Sequence, residues 1–259
     1  PNVGYADPRM IAIFGFSILL MSGFVIRELK TKDPMMDLRL FKHRFFSTGI
    51  SAAFLNFIGT SAIFFFMPFY LQIVLGYSPY QIGIFTATGA ITMSIVGTFS
   101  GQLSDRFGPD KFTAAGLLIS SIGVFVISSL SMNSSWVLPV IGLVLIGLGS
   151  GIFYGPNNKS ILSTVPQDLH GVVSGFIHLV RNSAGVTGIA IVTLIVTSFM
   201  ASMGFAPTLA GLSSATEYPV LESFVKGLRF ASICFGIALL AGLAVSASGG
   251  KYRETTGAH

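Results

Sequence analysis

Long uninterrupted apolar runs constrain this chain more than any other feature. A helix crossing the hydrocarbon core of a bilayer needs about 20 mostly apolar residues, because the core is ~30 Å thick and each residue rises ~1.5 Å. Seven stretches reach that length: residues 10–26, 46–71, 81–103, 112–130, 136–154, 172–200 and 230–247. They are apolar all round, without strand-like alternation, and short segments join them, so closed helices must satisfy the backbone in lipid. The expected fold is all-α, a polytopic membrane helix bundle of seven transmembrane helices.

Composition supports the bilayer as solvent: 52% of the 259 residues are hydrophobic and 10% are charged, against about 25% charged in soluble domains. Cys234 is the single cysteine, so no disulfide forms within the chain. The net charge of +5 comes from short basic clusters between apolar runs. Nucleic-acid binding needs a basic stripe with exposed aromatics, so nucleic acid is excluded as a partner. No cofactor or metal is expected, since His178 has no second His or Cys at its depth.

Basic residues near span ends favour the cytoplasm. Arg27, Lys30, Lys32, Arg39, Lys42, Arg44, Arg106, Lys111, Lys159, Lys251 and Arg253 fall on one set of alternating loops; the other set holds only Arg9, Lys226 and Arg229. This predicts the N-terminus outside and the C-terminus inside. The chain opens Pro-Asn-Val-Gly-Tyr-Ala-Asp, with no Met and no basic segment leading into an apolar one. It reads as a fragment beginning in an external loop of a longer protein; a complete seven-span product with a trimmed start is the alternative.

Three segments follow: 1–26, an external loop and one transmembrane helix; 27–44, a charged cytoplasmic connector containing Pro34; and 45–259, a six-helix bundle with a short cytoplasmic tail. Within the bundle small residues recur four apart: Gly97 with Gly101, Gly147 with Gly151 and Gly155, and Gly171 with Gly175. That spacing lets helix backbones approach closely, either for packing alone or to form seams along which helices rock. Pro68 and Pro156 can bend or end their helices by removing a backbone donor.

Between the third and fourth spans the chain reads Gly101-Gln-Leu-Ser-Asp105-Arg106-Phe-Gly108-Pro-Asp-Lys111. Gly101 permits close helix contact, Gly108 a tight reversal, Asp105 a meeting with a cation or helix N-terminus, and Arg106 and Lys111 hold the turn inside. The stretch resembles the short-loop signature of the major facilitator superfamily, with Pro109 and Asp110 departing from its basic positions. The connector Arg27-Glu-Leu-Lys-Thr-Lys-Asp-Pro34 through Arg44-Phe is similar, in order as well as presence, to the second half of that superfamily's fourteen-span drug:proton antiporter branch, the EmrB/QacA type. So are Leu71-Gln-Ile-Val-Leu-Gly76-Tyr-Ser-Pro79, Gly147-Leu-Gly149-Ser-Gly151, Val165-Pro166-Gln-Asp168-Leu-His-Gly171 and Leu179-Val-Arg181-Asn-Ser-Ala-Gly185-Val-Thr-Gly188. The resemblance implies that the first span belongs to a central inserted hairpin and the other six form the C-terminal half. It also implies that the first, second, fourth and fifth helices of that half line a central path, making Asn56, Phe57, Thr86 and His178 path candidates.

Arg181 is the one charge well inside a span, with His178 three residues earlier on the same face and Asn182 adjacent. An unpaired Arg near the core costs at least ~2.5 kcal/mol. Arg181 therefore has a partner in the missing N-terminal half or snorkels to the cytoplasmic headgroups. Arg181 and Asn182 join the path candidates.

The leading functional expectation is a secondary transporter, a proton-coupled exporter of drugs or other small amphipathic molecules, in a bacterial inner membrane. A specific metabolite carrier of the same superfamily is the alternative. An intramembrane enzyme lacks its constellation: Ser150 and Ser174 have no intramembrane-protease context. A seven-helix photoreceptor lacks a Lys in the last span.

Overall fold

A computed structural model describes residues 38–206, 209, 212 and 216–256, with scattered positions between 12 and 27; in the last helix side chains are described as far as Ser248. The chain divides into two units, Pro1–His43 and Arg44–His259. In the first, Ala12, Gly15, Phe16, Ser17, Leu19, Leu20, Ser22, Gly23, Ile26 and Arg27 are helical, and a 3-10 turn spans Leu38–Lys42. The rest of the expected 10–26 span and of the connector up to residue 37 lies outside the described residues.

The second unit consists of α1 (Arg44–Phe69), α2 (Pro79–Phe107), α3 (Pro109–Ser128), α4 (Val137–Leu162), α5 (His170–Ser202) and α6 (Tyr218–Thr256). Among the described residues these are the six helices long and apolar enough to cross a membrane, and there is no strand. Gly89, Gly97 and Gly101 of α2 meet Gly147, Gly151 and Gly155 of α4 in the same order, so these two helices run parallel, whereas Gly116 and Gly123 of α3 meet Gly149 and Gly142 in reverse order, so α3 runs antiparallel to α4.

Several helix ends differ from the expected ones. Pro156 does not end α4, which continues to Leu162; a missing amide removes one backbone bond, and the side-chain tethers described below hold the extra turns. Helix α6 begins at Tyr218 rather than 230. Its first turns are charged, but Lys226 and Glu222 pair one turn apart at 2.9 Å, and Arg229 Nε donates to the Ser128 carbonyl at 3.0 Å. Past Pro68, α1 loosens into a π turn over Tyr70–Val74, where Tyr70 donates its hydroxyl to the Ser131 carbonyl at 2.7 Å.

Helix α4 is the axis of the bundle, packed along α2 on one side and α3 on the other. Lipid gives helices little hydrophobic reason to associate, so such contacts depend on small residues that let backbones approach. A Cβ on Gly147 would lie 2.1 Å from the Gly89 carbonyl oxygen, and one on Gly151 2.8 Å from that of Met93, both on α2. Towards α3, a Cβ on Gly149 would meet Ser120 at 2.4 Å, and one on Gly123 the Gly142 carbonyl at 2.9 Å. Gly188 of α5 approaches Ile58 of α1 equally closely.

The glycines expected to form seams do not all do so. Gly97 and Gly155 make ordinary contacts at 3.9 and 3.6 Å, and Gly101, Gly171 and Gly175 would have nothing within 4 Å of an added Cβ. Gly171 and Gly175 sit exposed on the first turns of α5, so the packing role expected of them is not met within the described bundle. Gly147→Ala is expected to destabilise the protein by about 1–3 kcal/mol through overpacking, read as a lower unfolding midpoint in detergent. Gly171→Ala, in open space, leaves that midpoint unchanged or slightly raised.

Candidate functional site

Between its two glycine seams α4 presents Ser150, Tyr154 and Asn158 at four-residue spacing, hence along one stripe. Opposite stand Asn56, Phe57 and Thr60 on a single turn of α1, and Arg181 of α5. Phe57 and Tyr154 stack with centroids 4.7 Å apart and planes 10° from parallel. The Arg181 guanidinium carbon lies 4.9 Å from the Phe57 centroid and 4.7 Å from that of Tyr154. The cation thus sits in the notch of an offset aromatic pair, and its Nη2 donates to Asn158 Oδ1 at 2.8 Å.

This is a third arrangement beside the two expected for Arg181. The residue lies eleven positions into α5, roughly 16 Å along the axis at ~1.5 Å per residue. Burying it costs about 2.5–3.5 kcal/mol. A hydrogen bond to a charged group contributes about 1.5–3 kcal/mol and a desolvated cation–π contact up to about 2, so two ring faces and one amide offset the cost. Among the described residues no carboxylate forms an ion pair with it; Asp105 pairs with Lys159 and Glu222 with Lys226.

The surroundings are polar and incompletely satisfied. Asn56 is fully buried and neither amide atom has a hydrogen-bond partner; Ser150 Oγ and Arg181 Nε are likewise buried and unpaired. Thr60 donates to the Asn56 carbonyl at 2.8 Å.

Of the residues singled out from sequence, Asn56, Phe57 and Arg181 meet at this seam. His178 and Asn182 lie on the exposed flank of α5 next to Arg181. Thr86 is elsewhere on α2, its hydroxyl bonded to the Ile82 carbonyl of its own helix at 2.8 Å. Sequence reasoning missed Ser150, Tyr154 and Asn158 as a stripe, because ending the helix near Pro156 hid the last member.

The Gly108 end carries a second group. Gly108, at φ 91°, donates its amide to the Ser104 carbonyl at 2.9 Å and passes directly into Pro109, the first residue of α3. Asp105 at the end of α2 pairs with Lys159 of α4. Arg106 and Lys111 are exposed. Asn157, Asn158 and Lys159 therefore bind three different helices in succession: Asn157 donates to the Gly49 carbonyl of α1 at 3.3 Å, Asn158 accepts from Arg181 of α5, and Lys159 meets Asp105 of α2. Among the described residues no cluster of His, Cys, Asp and Glu could hold a metal.

Six apolar helices around a polar, cation-bearing seam define the class: an integral membrane bundle built to keep charge at depth. The family follows from comparison with known proteins. The model of the Major Facilitator Superfamily matches residues 10–189, and the chain belongs to that superfamily. It is 31% identical over 214 residues to the multidrug efflux pump LfrA of Mycolicibacterium smegmatis, across 82% of this chain and 42% of that one. To the riboflavin transporter RibZ of Clostridioides difficile it is 29% identical over 222 residues, across 85% and 47%. To the tetracenomycin C resistance and export protein of Streptomyces glaucescens it is 28% identical over 198 residues, across 76% and 37%. The chain spans about half the length of the curated relatives it matches. A bacterial homologue of the human lysosomal transporter Spinster, solved inward-facing and unoccupied, shares the fold with a TM-score of 0.62 at 20% identity, across 86% of this chain and 52% of that one.

The two groups differ in energetic weight. Lys159 and Asp105 have side chains 59% and 50% exposed, so their pair is worth about 0.2–1 kcal/mol. Lys159→Gln should lower stability by no more than that. Tyr154→Leu removes one aromatic ring from a half-buried cation and should cost about 1–2 kcal/mol beyond its lost packing. Thermal unfolding of both variants in the same detergent checks the order.

Proposed function

We propose that this chain is the C-terminal half of a secondary exporter of the fourteen-span drug:proton antiporter branch, with one further span from the central hairpin. It moves drugs or other amphipathic small molecules by alternating access in a bacterial plasma membrane. The observation that carries this reading is the exposed flank of α5. His178, Asn182, Ser183 and Thr187 lie on it at membrane depth beside Arg181, interleaved with the exposed apolar Leu179 and Val186. Hydrocarbon is a poor neighbour for the imidazole and the amide on this mixed face, whereas an aqueous path shared with an opposing half suits them. The half-length match to efflux and export proteins agrees.

On this reading the basic residues put the Gly108 turn in the cytoplasm. There Gly101, Asp105, Arg106, Gly108 and Lys111 form a gating loop whose ion pair is weak enough to break and re-form each cycle. Asn56, Phe57, Thr86, His178, Arg181 and Asn182 belong to the substrate path. His178 is the titratable group on the exposed flank of α5, and further proton-coupling groups belong to the opposing half. The similarity to a riboflavin transporter favours one second reading, a carrier for a specific planar metabolite.

Full-length protein in proteoliposomes tests both readings. Export of an amphipathic dye is expected to rise several-fold when a pH gradient is imposed and to collapse when a protonophore removes it. Export indifferent to the gradient contradicts proton coupling, and uptake of a flavin with no movement of dyes favours the metabolite carrier.

A further inference from the structure

We propose that Arg181 is a substrate-binding cation and that it makes the bundle selective for aromatic anions, molecules with a planar ring system and a carboxylate, sulfonate or phenolate, over lipophilic cations of the same shape. This rests on the transporter reading above and adds the charge of what is carried.

Four observations point the same way. Among the described residues, Arg181 is held without a carboxylate, by a neutral amide and two ring faces. Neither removes its charge, so the seam keeps a full positive charge in a medium where a nearby anion is attracted more strongly than in water. Its Nε is a buried donor with no acceptor, the group a ligand oxygen would pair with in a charge-assisted bond. The residue is only half-buried, and it adjoins the exposed flank that carries His178 and Asn182 together with apolar Leu179 and Val186. Phe57 and Tyr154 offer aromatic surface to the ring system, and the unpaired amide of Asn56, one position before Phe57, is a further hydrogen-bonding group on the same turn. Among the described residues no acid stands beside Arg181 to relieve the repulsion that a cationic ligand would meet there.

The test uses fluorescein and a rhodamine ester, which share a ring system and differ in charge, with full-length protein in phosphatidylcholine proteoliposomes. Wild type is expected to move fluorescein with the lower KM. Arg181→Gln should raise the fluorescein KM at least about tenfold, the loss of one hydrogen bond to a charged group, with the rhodamine KM unchanged or lower. Arg181→Lys should retain part of the preference. Asn158→Asp guards against misfolding of the first variant: it keeps the shape of the seam, gives Arg181 a carboxylate, and should abolish the fluorescein preference in the same way.

Rhodamine moved as well as or better than fluorescein by wild type overturns the proposal and leaves the transporter reading standing. A parallel loss of both dyes in Arg181→Gln and Asn158→Asp overturns it too, making Arg181 a structural residue. Movement of neither dye by wild type overturns both readings. An Arg181 effect that appears only when phosphatidylglycerol is added assigns the anion to a lipid headgroup and overturns the substrate claim.

Discussion

The close approach of α4 to its two neighbours is the constraint from which the rest of the bundle follows. Gly147 and Gly151 bring it against the backbone of α2, and Gly149 with Gly142 against that of α3. Two glycine seams on one helix fix its rotation, since turning it would drive a carbonyl into a side chain. The stripe between the seams is then obliged to face α1 and α5. That stripe carries Ser150, Tyr154 and Asn158, and so the helix that organises the packing also delivers the polar contacts to Arg181.

The last two turns of α4 extend this logic to the Gly108 end. Having passed Pro156, the helix is tied by three successive residues to α1, α5 and α2. One tether is a neutral amide bond, one holds a half-buried cation and one is an exposed ion pair. Their differing strengths mean that the Asp105 tether can release while the Arg181 tether holds.

Much of the fold was legible in the sequence because the bilayer imposes a length that composition cannot disguise. All six runs from 46 onward became helices. Ends were less legible: charges at Glu222, Lys226 and Arg229 read as a loop, yet a local ion pair and a bond to α3 keep them helical. Pro156 read as a terminator because the side chains that hold the turns after it, Asn157, Asn158 and Lys159, bond to residues far away in the chain. The same distance explains the site. Arg181 and Asn56 stood out as polar groups in apolar runs, but nothing local to Tyr154 or Asn158 announces a partner in another helix. Gly171 and Gly175 have the right spacing for a seam and face open space, since spacing specifies a face and not what lies opposite it.

The transporter proposal requires the flank of α5 beside Arg181 to line a water-accessible path and not the lipid boundary. Spin labels at positions 178 and 182 of the full-length protein, with Cys234→Ser as background, test it directly, compared with a label at Ile237 on the exposed apolar face of α6. In a path-lining flank the first two are relaxed more strongly by a water-soluble paramagnetic reagent than by oxygen, and the third the reverse. Labels at 178 and 182 that respond like the one at 237 would contradict it.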